Sequence, residues 1–292
     1  MDRCPAEICS EIYAYACVDN GRTGRSLSLV STYIRDTSRP FKLQSVSVVG
    51  FQQLLSFAAL LENTPLHLRQ VRCIFISAHA QSTATEPKAL TPEYARRETA
   101  YSAVRRILHA ISHCVKVVHA LFLFHRPFPL LPVSLPFLQE FSLHGPPGVA
   151  SNVDEDIQFA SLNHLHISSC YSPLYILGTV AKLTPNLKHL RISAPEHSPN
   201  FVDELKDILE NATIPLPTHL AKLCIHSPTE PRDNWVGMLD LYERTMDALE
   251  GLSAIYPWIL LLPPLRLGMF STLSIEDAEA AWLDSCAGRQ WW

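Results

Sequence analysis

Glycine is scarce in this sequence, 10 of 292 residues, and proline outnumbers it at 22, which reverses the average order of roughly 7% and 5%. No glycine falls between 51 and 144 or between 179 and 236, so a dinucleotide-binding fingerprint is excluded from most of the chain. Gly21-Arg22-Thr23-Gly24-Arg25-Ser26 comes nearest to a phosphate loop. Only two residues separate its glycines where a Walker motif has four, and arginine follows where lysine is needed. Charge of one sign is also lacking: 24 basic and 28 acidic residues leave −4, with no basic stripe to follow a nucleic-acid backbone. Long apolar runs are absent. The most apolar stretch, Ile255 to Leu265, is interrupted by three prolines and is well short of the ~20 residues of a spanning helix.

The eight cysteines include no C-x-x-C pair, and the opening MDRCPAEICSEIY carries two glutamates where a secretory signal needs an apolar run. Reduced thiols in a cytoplasmic or nuclear protein are expected, without membrane or nucleic-acid partners. No G-x-S-x-G is present, and His109, His113 and Cys114 lack the intervening glutamate and third ligand of a helical zinc site. A hydrolase built on these groups has no visible activated nucleophile, so neither an enzyme nor a metal or other cofactor is expected. Hydrophobic residues reach 47% and charged ones only 18%, which describes a folded chain with a substantial core.

What is present is periodicity. Residues 5 to 16 space Ile8, Ile12 and Ala16 by four after Pro5, with Glu7 in the first turn, and predict a short amphipathic helix. RSLSLVSTYIRDTS spaces Leu27, Val30 and Ile34 similarly and predicts a second, stopped by Pro40. Beyond it a triplet recurs, an apolar residue, two others, an apolar residue, one other and an apolar residue. The seven copies are Leu43/Val46/Val48, Val71/Ile74/Ile76, Val118/Leu121/Leu123, Leu138/Phe141/Leu143, Leu162/Leu165/Ile167, Leu187/Leu190/Ile192 and Leu220/Leu223/Ile225. Their first positions lie 28, 47, 20, 24, 25 and 33 apart, and four of the six intervals fall within the 20 to 29 of leucine-rich repeats. Between triplets the apolar period lengthens to that of helices, as a strand-then-helix repeat requires. After the proline-broken stretch 257 to 264, Ser274 precedes a last helix carrying Ala278 and Trp282, expected to cap the array.

Pro5-Ala6-Glu7-Ile8 with Ile12, followed by SLSLVSTYIRDTSRP, resembles an F-box. The remainder resembles the irregular leucine-rich repeats joined to many F-boxes, particularly in the expanded family of mushroom-forming fungi. The expected fold is α/β: a helical F-box over 1–42, a leucine-rich-repeat-like solenoid with a strand and helix per repeat over 43–270, and a C-terminal capping helix and tail over 271–292. The resemblance implies a substrate-recognition subunit of a Skp-cullin-F-box ubiquitin ligase, in which the F-box docks on a Skp-type adaptor of the cullin-RING ligase and the repeats hold a target protein. Adaptor binding would then fall to Pro5, Ile8, Ile12, Leu29 and Val30. The sequence departs from the family at Cys4, where leucine is usual, and in the lengthened DNGRTGRS loop. The alternative reading is a repeat scaffold with a degenerate F-box and no ligase role.

Alternation along a strand assigns the outward face. In the early repeats it is apolar, with Val49, Phe75, Phe122 and Phe124, which predicts cover by the F-box or by loops. From the fourth repeat on it reads Glu140, His144, His164, His166, His189, Arg191, Lys222 and His226, the candidate target-binding surface, with His164 beside His189 and His166 beside Arg191.

Overall fold

Short apolar strands and amphipathic helices alternate along the chain as the changing period requires. In chain order the elements are α1 (Ala6–Ala16), α2 (Arg22–Leu27), α3 (Thr32–Ser38), β1 (Ser45–Val49), α4 (Phe51–Asn63), β2 (Cys73–Ser77), α5 (Glu93–Ile111) and β3 (Val117–Leu121). There follow β4 (Phe128–Pro129), β5 (Glu140–His144), β6 (Pro147–Gly148), β7 (His164–Ile167), α6 (Pro173–Leu183), β8 (His189–Ser193), α7 (Phe201–Asn211), β9 (Lys222–His226), α8 (Val236–Ile255), β10 (Ile259–Leu262) and α9 (Ile275–Cys286). The computed structural model describes residues 4–79, 93–122, 128–129, 133–148, 158–168, 170, 172–193, 200–231, 236–265 and 273–289. The protein is α/β with parallel strands, and it divides into two compact units.

The first unit comprises residues 1–121, 133–138 and 275–292. Its N-terminal helices share a small core of Cys9, Tyr13 and Ile34, with Cys4, Leu27, Tyr33 and Phe41 packed against it. The Gln44 side-chain amide donates to the Ala14 carbonyl at 2.7 Å and so ties α1 to the start of β1. The expected second helix is broken at 28–31. The Ser31 hydroxyl accepts from the Ile34 N–H at 3.2 Å and caps a new helix, α3. Leu27 and Ile34 still reach the core, but Val30 is 63% exposed.

Strands β1, β2 and β3 of this unit pair in parallel, with Val46 beside Ile74 and Val48 beside Ile76, then Ile74 beside Val118 and Ile76 beside Ala120. That register corrects the third triplet to Val115/Val118/Ala120, so its first position lies 44 residues after Val71 and 23 before Leu138. His119 and Leu121 therefore stand on the outward face, beside Phe75 and Ser77. Phe122 follows β3 and is buried, and Phe124 lies outside the described residues.

The outward face of these three strands is covered by α9. The Trp282 ring lies 6.1 Å from that of Phe75, Ser285 Oγ lies 3.5 Å from His119 Nε2, and Ser45 Oγ is 3.6 Å from Cys286 Sγ. The expected cover is thus present over Phe75, and the C-terminal helix supplies it. Ile275, Ala278 and Trp282 recur at helical spacing and bury one face. That pattern made the helix legible, but the expectation that it would cap the array is corrected, since α9 lies on the outward face of the first three strands.

The second unit comprises residues 122–132 and 139–274. Strands β5, β7, β8, β9 and β10 pair in parallel in that order. Phe141, Leu165, Leu190 and Leu223 line one inward row and Leu143, Ile167, Ile192 and Ile225 the next, all buried. β10 was not anticipated, because Pro257, Pro263 and Pro264 read as a break. They flank the strand, where no ladder hydrogen bond is forfeited. Gly145, just after β5, has φ +138 and lies so close to Phe122 that a Cβ would stand 2.0 Å from the Phe122 carbonyl oxygen.

One hydrogen-bond motif recurs in both units. The carbonyl of the residue before a strand accepts two consecutive N–H groups at the start of the next. Gln44 receives Arg72 and Cys73 (2.8 and 3.0 Å), and Arg72 receives Lys116 and Val117 (2.8 and 3.0 Å). In the second unit Gln139 receives Asn163 and His164 (2.9 and 3.1 Å), Asn163 receives Lys188 and His189 (3.0 and 2.9 Å), and Lys188 receives Ala221 and Lys222 (2.8 and 3.1 Å). Register is set at the strand start and is indifferent to the length of the helical connection.

Candidate functional site

On an α-helix each residue turns by about 100°, so Cys9 and Tyr13 of α1 lie well around from Ile8, Ile12 and Tyr15. The first pair enters the core. The second set faces water, with Ile8 47%, Ile12 49% and Tyr15 85% exposed. Leu29, 86% exposed, and Val30 occupy the turn between α2 and α3, and Pro5 is exposed before α1. All five sequence-chosen residues are therefore accessible, and Tyr15 joins them. It was missed because a tyrosine at the edge of an apolar stripe reads as ordinary helix surface.

The phosphate-loop-like segment forms the start of α2. Asp19 carboxylate oxygens accept from the Gly21 and Thr23 N–H groups at 3.1 and 2.9 Å, which satisfies the donors an anion would need. His109 lies on α5 and His113 in the turn beyond its end, both exposed, while Cys114 Sγ donates to the Arg69 and Val71 carbonyls. Among the described residues no group of three metal-ligating side chains converges. Burial pushes the Cys17 thiol up to about 11 and that of Cys170 to about 12, and it raises Cys114 and Cys224, so these sulfurs stay protonated at neutral pH.

In the second unit the outward side chains form rows across the strands. Glu140, His164, His189 and Lys222 are aligned in one, and Ser142, His166, Arg191 and Cys224 in the next. His144 and His226 stand one step further along β5 and β9. Only the first row is open to solvent, and His144, His166, Arg191 and His226 are buried. The rings pack on one another: His144 and His166 meet edge to face at 5.0 Å, and His166 lies 5.9 Å from His226. His226 Nδ1 also meets the Pro263 carbonyl at 2.7 Å, from the segment after β10. Alternation identified which side chains point outward, but it carries no information about what folds over them.

Burial, helped by neighbouring positive groups, lowers the pKa of His164 and of His189. Burial brings Arg191 down to about 10 and His226 to about 4, the Pro263 hydrogen bond opposing the latter. The consequence for stability has a definite sign. Unfolded histidine binds its proton near pH 6.5 while His226 in the fold stays neutral to about 4, so unfolding takes up a proton between these values. Stability contributed above pH 6.5 is lost as the pH falls toward 4, amounting to about 3 kcal/mol. His226→Gln should flatten the dependence of the urea midpoint on pH between 7 and 4.5. Equal slopes for variant and wild type would rule out His226 as its source.

A further feature of the second unit was not anticipated. An open cleft of about 440 Å³ runs along the strand starts, lined by Gln139, Asn163 and Lys188 in one row and Ser161, Asn186 and His219 in another. The signal was in the repeats. These residues flank the first apolar member of each triplet, as in Ser161-Leu162-Asn163 and Asn186-Leu187-Lys188.

Comparison of the chain with protein-family models, with curated proteins and with solved structures gives no match. Among the described residues no helix is long and apolar enough to cross a membrane.

Proposed function

We propose that this protein is the substrate-recognition subunit of a Skp-cullin-F-box ubiquitin ligase, with an F-box over residues 1–42 and a leucine-rich-repeat-like solenoid over 43–270. The observation that carries the reading is the doubly apolar N-terminal helical module. It closes its own core with Cys9, Tyr13 and Ile34, yet it leaves Ile8, Ile12, Leu29 and Val30 at the surface. Apolar side chains held outward on a small folded module favour burial against a partner, here the Skp-type adaptor. The strand-start hydrogen bond repeated at Gln44, Arg72, Gln139, Asn163 and Lys188 supports the repeat architecture. Target capture falls to the open row of Glu140, His164, His189 and Lys222 in the second unit.

Ile8→Asp combined with Val30→Asp tests the adaptor half. Both side chains are substantially exposed, so the fold should survive, while two carboxylates forced into an apolar interface should cost several kcal/mol and abolish co-purification with a Skp-type adaptor. Undiminished co-purification by the folded double variant would remove Ile8 and Val30 from the adaptor interface, whereas failure of the wild-type protein to co-purify with the adaptor would remove the ligase reading and leave the second one, a repeat scaffold with a degenerate F-box. Cys4 in place of the family's leucine and the break of the second helix at Ser31 favour that alternative.

A further inference from the structure

The cleft along the strand starts of the second unit has a chemistry of its own. None of its lining residues is acidic, in a chain whose net charge is −4. Lys188, which lines it, and Lys222, at the adjacent strand start, are exposed and make no ion pair among the described residues. Their charge is felt nearby: after burial itself, Lys222 and Lys188 are the causes that lower His189. Glu140 is the only carboxylate in the adjoining open row of Glu140, His164, His189 and Lys222.

The remaining lining is the amides of Gln139, Asn163 and Asn186, the Ser161 hydroxyl, the His219 imidazole and the Ala160 methyl. The backbone carbonyls of Gln139, Asn163 and Lys188 are already engaged by the next strand, so the side chains are the groups left to bind. The Asn186 amide is held by the Ala160 carbonyl at 2.9 Å, whereas those of Gln139 and Asn163 make no hydrogen bond among the described residues. Repetition sets these polar groups about 4.8 Å apart across successive strands. A carboxamide offers both a donor and an acceptor, which suits a peptide backbone, and the lysines suit carboxylates beside it.

We infer that the strand-start cleft of the second unit, with Lys188, Lys222, Gln139 and Asn163, is a docking groove for an acidic polypeptide segment. This deepens the target-recognition half of the proposed function and rests on it. The occupant is read as peptide rather than nucleic acid because two lysines in an acidic chain fall far short of a phosphate-tracking stripe.

The test uses the full chain and a fluorescein-labelled peptide of about twelve Asp, Glu and Ser residues, followed by anisotropy at low salt. Lys188→Glu with Lys222→Glu should weaken binding about tenfold or more, and added salt should weaken the wild type similarly. Gln139→Ala with Asn163→Ala, which leaves the charge unchanged, should weaken it about threefold to tenfold. Lys42→Glu with Lys116→Glu, an equal charge change at exposed sites of the first unit, should leave it within about twofold. Adaptor co-purification is measured on the same variants: its retention alongside lost peptide binding supports the inference, and its absence from every preparation tells against the ligase reading alone. The inference is overturned by absent peptide binding, by equal losses in the two lysine pairs, by an RNA of the same charge binding as tightly, or by free phosphate displacing the peptide at low millimolar concentration as an isolated anion site would.

Discussion

Trp282→Ala is expected to lower the stability of the first unit by about 3–5 kcal/mol, the range found for truncating a buried aromatic side chain. Trp282 is fully buried and packs on Phe75 in the middle of β2, so truncation leaves a cavity between α9 and the strands that neither can close without moving. Against a typical total of 5–15 kcal/mol, that loss should leave a large unfolded fraction at moderate temperature. Trp282→Phe should cost much less. The indole N–H has no acceptor among the described residues, so phenylalanine keeps most of the apolar contact and removes a buried donor. Urea denaturation of the three proteins distinguishes these outcomes, and coincident midpoints would show that α9 contributes little. A chain ending before residue 273 should lose cooperative melting as well, since it uncovers Phe75 and His119 together.

Gly145→Ala is the second substitution with a large expected effect, although it adds only one methyl group. The new Cβ would stand 2.0 Å from the Phe122 carbonyl oxygen, and φ at this position is +138, which side-chain-bearing residues avoid. Phe122 cannot simply withdraw, because its N–H donates to the His144 carbonyl at 2.8 Å. Either the β5 end shifts or that bond breaks, at a combined cost of about 3–5 kcal/mol. Thermal unfolding of the purified variant would show this as a drop in midpoint of many degrees, and a midpoint within about one degree of wild type would contradict it.

The strand rows were legible where the apolar members were large and the flanking residues ordinary. The β7 and β8 register, with Leu165 beside Leu190 and Ile167 beside Ile192, follows directly from two adjacent triplets. Misreadings came where a small or unusual residue held an inward position. Ala120 fills the inward place in β3, and a reading that sought a large apolar residue slid three positions toward Leu121. β10 was hidden because its prolines sit at the strand ends, which composition does not distinguish from an interruption. The break before α3 had a local signal in Ser31, the capping residue, overlooked because the apolar spacing ran through it. Of the candidate residues, the adaptor set and the first polar row are accessible, whereas His144, His166, Arg191 and His226 are buried by tertiary packing.

The placement of α9 also governs how the protein can be made. Trp282 lies 207 positions after Phe75, so during synthesis β2 is complete long before its cover exists. At about 5–20 residues per second, the ribosome takes about 10–40 s to bridge that gap. Throughout this interval the nascent chain presents an uncovered apolar strand face, the kind of surface that chaperones bind and that aggregates when they are lacking. A late element thus retires the hazard created by the first strands, and production of this protein should be unusually sensitive to termination before α9 is complete.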